Sequence, residues 1–239
     1  MTNLSVSQKL HEDLSKVIAE TESGARLPTE PVLAKQLGVS RATLREAMRT
    51  FESQGIIRRR QGSGTFVSRP SKVIDSGLEI LQSIEKLANQ IGLKVEMGEL
   101  IIERRKAKDE ECSRLELSPC DEVMSVSRVI HADGRPVAFL IDILPVDILE
   151  PADLVESFTG SILDLLLTRG QPKLYISRTD INAVQAPSNV ARALMIQRGD
   201  VLLCFEADLY SNEEKAVDHS FSYFLPGYFH FHVVRRVAD

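Results

Sequence analysis

The sequence has no run of uncharged apolar residues approaching the roughly 18 needed to cross a bilayer. Its polar opening, MTNLSVSQKLHEDL, lacks the apolar stretch of a secretory leader, so a cytoplasmic protein is expected. The three cysteines, Cys112, Cys120 and Cys204, are odd in number, far apart and in no C-x-x-C arrangement. That spacing predicts buried thiols, with no disulfide framework and no zinc site. Also missing are a G-x-S-x-G elbow, a cysteine with a placed histidine and a phosphate loop, which argues against an enzyme and implies no cofactor.

What is present suits two globular domains. The chain has 239 residues, 43% of them hydrophobic and 26% charged, too apolar for disorder and long for one compact domain. The net charge of -5 conceals an asymmetry. Residues 1–70 hold eleven Lys and Arg against seven Asp and Glu, giving +4 and leaving -9 for the remainder. A basic module joined to an acidic one suggests that only the first meets a polyanion.

Leu4, Leu10, Leu14, Val17 and Ile18 recur at spacings that place most of them on one face of a helix running to about Glu20, before Ser23-Gly24. Thr29 is placed to cap a short helix with Pro31 in its first turn and Val32, Leu33 and Leu37 inward; Gly38 ends it. Ser40 is a second N-cap, and Leu44, Ala47, Met48 and Phe51 form the apolar side of a third helix closed by Gly55. Two short helices joined at a glycine are the helix-turn-helix signature. The opposite face of the third helix carries Ser40, Arg41, Thr43, Arg45 and Arg49. Hydroxyls at a helix N-terminus suit phosphate, and arginine can donate two hydrogen bonds to a guanine edge. Ile56 and Ile57 then open a strand, Gln61-Gly62-Ser63-Gly64 turns, and Thr65-Phe66-Val67 returns, a two-stranded wing whose arm bears Arg58, Arg59 and Arg60.

Through the LPTE stretch, LAKQLGVSRATLREAM, QGII and RQGSGTFV, in order and without gaps, residues 7–68 resemble the winged helix of the GntR family of transcriptional regulators. The resemblance implies that Ser40, Arg41, Thr43 and Arg45 face operator DNA, with Gly62 and Gln61 reaching it from the wing tip. Many family members carry an arginine directly after the glutamate of LP-x-E; here Pro31 stands there, so that contact is either lost or supplied by Arg26 or Lys35.

The domain boundaries expected are 1–69 for the DNA-binding domain, 70–77 for a polar, Pro-containing linker and 78–239 for the second domain. LEILQSIEKLANQIG, from Leu78, reads as an amphipathic helix. EVMSVSRVIHA and RPVAFLIDILP flank Asp133-Gly134, a hairpin signal. Further strands are predicted at KLYISRTDINAV, VLLCFEADLYS, KAVDHSFSYFLP and YFHFHVVRRV, with helices at GSILDLLLTRG and APSNVARALMIQRG. The order predicts an α+β domain with a mainly antiparallel sheet.

SRVIHADGRPVAFLIDILP, GSILDLLLTRG, ARALMIQRGDVLLCFEADLY and SYFLPGYFHFHVVRR are similar to the UTRA domain, the chorismate-lyase-like effector domain of the HutC subgroup. In sugar-phosphate-sensing relatives, the strand before the A-D-G turn carries two alternate arginines that grip phosphate. Here the first is Arg128 and the second is Ile130; Leu140, Leu163 and Phe224 replace a glutamate and two tyrosines, while Ser161 is kept and Asp218 stands for another acid. The resemblance thus implies an effector site at Arg128, Asp142, Ser161, Asp218, Tyr223 and Phe224. Either Arg128 meets one anionic group of an effector more apolar than a hexosamine phosphate, or it pairs with Asp142 across the hairpin. His230 and His232 share one side of a strand, with His219 nearby, but no cysteine stands at ligand spacing, so no metal is expected.

The function expected is a sequence-specific regulator, a homodimer on a pseudo-palindromic operator whose affinity a small effector controls. Two alternatives are a chorismate-lyase-like enzyme, which fold alone does not establish, and a DNA-independent interaction module.

Overall fold

The computed structural model describes residues 6–53, 55–60, 62–68, 72–154 and 158–235. They form two compact units, Met1–Ser71 with Pro226–Tyr228, and Lys72–Leu225 with Phe229–Asp239.

In the first unit, helices α1 (Val6–Glu20), α2 (Glu30–Gln36) and α3 (Arg41–Ser53) precede strands β1 (Ile57–Arg60) and β2 (Gly64–Val67). The periodic apolar positions converge: Leu14, Ile18, Leu33, Leu44, Met48, Phe51 and Ile57 make one core. Two expectations for α2 need correction. Thr29 holds the N-cap position but makes no side-chain bond; its carbonyl accepts from Leu33 N, and Pro31 has removed one of the donors a cap would serve. Val32 is exposed, because a seven-residue helix that buries Leu33 and Ala34 turns its neighbour outward.

β1 and β2 pair antiparallel, Ile57 opposite Val67 and Arg60 opposite Gly64. The LP segment adds to them: Leu27 N donates to Thr65 O and Val67 N to Ala25 O. At Gly64 the Arg26 side chain crosses the backbone so closely that a Cβ would lie 2.5 Å from its Nε, and φ is +115°. Only glycine suits both conditions.

In the second unit, β4 (Val95–Lys106), β5 (Glu122–Ala132), β6 (Arg135–Pro145), β7 (Leu174–Gln185), β8 (Val201–Ser211) and β9 (Ala216–Phe224) form a sheet in the order β4-β5-β6-β9-β8-β7, antiparallel throughout. Asp133 and Gly134 both have positive φ, the geometry of the tight hairpin turn predicted between β5 and β6. Two short strands, β3 (Ile74–Gly77) and β10 (Phe229–His232), pair in parallel apart from it. β3 lies within the segment expected to be a linker.

Alternation along the strands gives the sheet two faces. On one, α6 (Ile162–Arg169) buries Ile162 and Leu166 against Met124, Val126 and Leu144. On the other, α5 (Asp109–Leu115) buries Leu115 against Val123 and Ile143. α7 (Ser188–Ala193) follows β7. The helix expected from Leu78 is shorter: α4 spans Ile84–Gln90, because Ser83 Oγ accepts from Lys86 N and fixes its start there. Leu78, Ile80 and Leu81 are left exposed.

Gly64→Ala should destabilise the winged helix by about 1–3 kcal/mol, the cost of a non-glycine residue in a sparsely populated backbone region. Urea unfolding checks it; a midpoint equal to that of the parent protein means that wing and LP segment shift freely.

Candidate nucleic-acid interface and buried charge cluster

α3 presents its N-terminus to solvent. Ser40 Oγ accepts from Thr43 N at 3.1 Å and lies 2.8 Å from Thr43 Oγ1, so the predicted cap forms and both hydroxyls sit at the exposed end. Arg41, Thr43 and Arg45 are exposed and Arg49 is half-buried. Arg45 Nε donates to Glu30 Oε2 at 2.6 Å, fixing the guanidinium against α2, and its carbonyl accepts from Arg59 Nη2 at 3.3 Å. Arg49 Nη1 donates to Glu46 at 3.2 Å. Arg58 is exposed on β1; Gly62 is exposed with φ of +75°, while Gln61 lies outside the described residues. Arg26 is exposed beside β2, and Arg60 lies 5.2 Å over the Phe66 ring. Glu30, the partner that orients Arg45, carries no signal of that role in the sequence. The fifteen-residue separation hides it.

In the second unit, the face covered by α6 holds a buried charge cluster. Arg128 on β5 donates through Nη1 to Asp142 on β6 and through Nε to the Gly160 carbonyl just before α6. Its guanidinium also lies 5.9 Å from the Phe158 ring centroid. Ser161 Oγ caps α6 by accepting from Asp164 N at 3.0 Å, and Asp164 accepts from Ser83 Oγ at 2.6 Å. Asp218 on β9 is fully buried and accepts from Ile143 N at 3.2 Å. Burial, and then the neighbouring Asp142 charge, push its carboxyl well above the ordinary aspartate range, against the pull of Arg128. The shift favours the protonated form of Asp218 beside Asp142. Glu85 on α4 was not foreseen: its carboxyl is raised chiefly by burial, and Oε1 is buried with no hydrogen-bond partner.

Of the six predicted effector residues, the structure gathers Arg128, Asp142, Ser161 and Asp218. Phe224 shares their face, packed among Phe205, Phe229 and Phe231 with ring centroids 4.6–5.8 Å apart. Tyr223, one residue before it, points to the opposite face beside Cys204. Burial there raises the phenol to about 12 and the thiol to about 11. The same opposite face carries a second network, in which Asp208 accepts from Arg114 at 2.9 Å and from buried His219 Nδ1 at 2.7 Å.

A winged helix with an exposed cationic third helix, followed by an α+β unit with polar side chains buried inside it, defines a ligand-responsive transcriptional regulator. Residues 2–67 match the family model for bacterial regulatory proteins of the gntR family, and residues 90–230 match the UTRA domain. The chain belongs to the GntR family, in its UTRA-bearing branch, and is a regulator and not an enzyme. It is 25% identical over 202 residues to the transcriptional repressor NagR of Bacillus subtilis, covering 84% of this chain and 82% of that one. It is 32% identical over 133 residues to MngR, the mannosyl-D-glycerate transport/metabolism system repressor of Escherichia coli, covering 56% and 54%. In fold it is similar to the crystal structure of PhnF from Mycobacterium smegmatis, with a TM-score of 0.65 at 21% identity, covering 96% of this chain and all of that one. GntR-family regulators of this build bind operator DNA, and a small-molecule effector through the UTRA domain.

Because folding raises the Asp218 carboxyl above its unfolded value near 4, its contribution is full below that value and is lost as pH rises through the raised one. Asp218→Asn retains an acceptor for Ile143 N and a donor to Asp142 without a titrating proton. The melting temperature of the variant minus that of the parent should therefore grow as pH rises from about 4 to 8. A constant difference means that Asp218 is ionised in the native protein.

Proposed function

We propose that the protein is a cytoplasmic, homodimeric repressor that places two copies of α3 in successive major grooves of a pseudo-palindromic operator. The observation that carries this reading is the exposed α3 N-terminus: Ser40 and Thr43 hydroxyls stand beside Arg41, with Arg45 held in a fixed pose by Glu30. Hydroxyls and the helix N-terminus bind phosphate and set the register, while Arg41 and Arg45 read base edges. Arg49 and Arg58 add phosphate contacts beside them, and Gln61 and Gly62 approach from the wing tip. Pro31 removes the arginine that many relatives place after the LP-x-E glutamate, and Arg26, crossing Gly64, supplies a cation at the wing instead.

The effector site proposed lies at the Arg128 end of the α6 face, around Asp142, Ser161 and Asp218, with Glu85 added and Tyr223 left out. Arg128 already has Asp142 and the Gly160 carbonyl as acceptors, which disfavours an anionic effector group there. Asp142, Asp164 and Arg128 all act on Glu85, whose Oε1 is buried without a hydrogen-bond partner. Such a surplus of acceptors suits an effector rich in donors, neutral or cationic, and makes phosphate a poor ligand. Effector binding shifts operator affinity to the extent that it favours one arrangement of the dimer over another.

Arg45→Ala should weaken binding to a DNA site selected by the parent protein from a random pool by about 1–3 kcal/mol, roughly 5- to 150-fold. Fluorescence anisotropy measures it, and unchanged affinity removes α3 from the groove. For the effector, calorimetry should show glucosamine 6-phosphate binding no more tightly than glucosamine; a strong preference for the phosphate would refute the donor-rich reading.

A further inference from the structure

β3 and β10 run parallel, with His230 opposite Asp75 and His232 opposite Gly77. Alternation along β10 sends both imidazoles to the same side, with ring centroids 5.9 Å apart and planes within 28°. Both Nδ1 atoms converge on one oxygen, Asp75 Oδ1, at 2.9 and 3.0 Å. One ligand atom from each of the three residues lies within 4.8 Å of the others, and all three side chains are exposed. We propose that Asp75, His230 and His232 form a binding site for a divalent transition-metal ion of the zinc type.

The spacing favours this over a plain hydrogen-bonded triad. A tetrahedral ion with bonds of about 2.0–2.1 Å sets its ligand atoms roughly 3.3 Å apart. The two His-to-Asp distances are within a few tenths of that, so an ion can replace the bridging protons with little movement. Two imidazoles and a carboxylate suit zinc, copper or nickel better than magnesium or calcium, which prefer all-oxygen shells. The hydrogen bonds that the ion displaces are solvent-exposed and contribute little. At Gly77 the backbone is closely packed, since a Cβ there would lie 2.4 Å from Glu79 Oε2 and 3.6 Å from His232 Nε2, on the side of the ring away from Nδ1. Glu79 brings a second carboxylate to His232 without being one of the three ligands, which raises the local attraction for a cation. Three protein ligands leave a fourth position for water, and the ion fastens β3 to β10 across the chain.

Zinc alone is titrated into the untagged full-length protein by calorimetry, and cobalt is used for its visible spectrum. One equivalent should bind and raise the melting temperature, since an ion held only by the folded state stabilises it. Asp75→Asn and His230→Ala should each weaken binding by more than about 10-fold, the loss that follows even from removing an outer partner of a metal ligand. The cobalt complex should lack sulfur-to-metal charge transfer, which excludes Cys112 and Cys120. Circular dichroism establishes that the variants fold, and His232→Gln replaces any that does not. Absence of stoichiometric binding, its persistence in the variants, or a thiolate band overturns the proposal.

Discussion

A guanidinium removed from water between a sheet and a helix start costs several kcal/mol unless its donors are met by acceptors of matching geometry. In this protein that demand falls on Arg128, and much of the second unit is arranged to satisfy it. The tight turn at Asp133-Gly134 fixes the register that places Val126 opposite Asp142, which brings the carboxylate within reach of Arg128 two residues further along β5. The Gly160 carbonyl takes Nε, and Ser161 then caps the helix that closes over the pair. Asp142 in turn stands beside Asp218, and two carboxylates so close inside a protein cannot both ionise. One buried cation thereby ties together a hairpin, a helix start and the protonation of a third strand.

The winged helix solves a different problem. Its cationic side chains repel one another, and three carboxylates spaced along its helices hold them in place: Glu30 under Arg45, Glu46 beside Arg49 and Glu52 against Arg59. A side chain positioned before its target arrives loses less rotamer freedom on binding. The acidic residues of a basic module are in this sense part of its cationic surface.

Much of this was legible in the residues. The cap at Ser40, the positive-φ hairpin and the heptad-like apolar spacing of α3 are local signals, and their elements formed where expected; the cap made by Ser161 was not among them. What escaped was non-local or half-exposed. β4 lies at a sheet edge with charged ends such as Glu103, Arg104 and Arg105, so its strand period is blurred. β3 is only four residues long and exists through a partner far along the chain. Glu85 and Asp75 carry no sequence signal of their own, and each gains meaning only from what the fold sets beside it. The alternation rule should have separated Tyr223 from Phe224, since neighbours on one strand cannot share a face.

The pairing of β3 with β10 has a consequence for how the protein is made. Its partners are 155 residues apart, whereas the apolar core of the winged helix is drawn from Leu14 to Val67. During synthesis the winged helix can therefore assemble early, while β3 must wait through most of translation with its edge uncovered. Ile74, buried in the finished protein, stays open to water until β10 has been made.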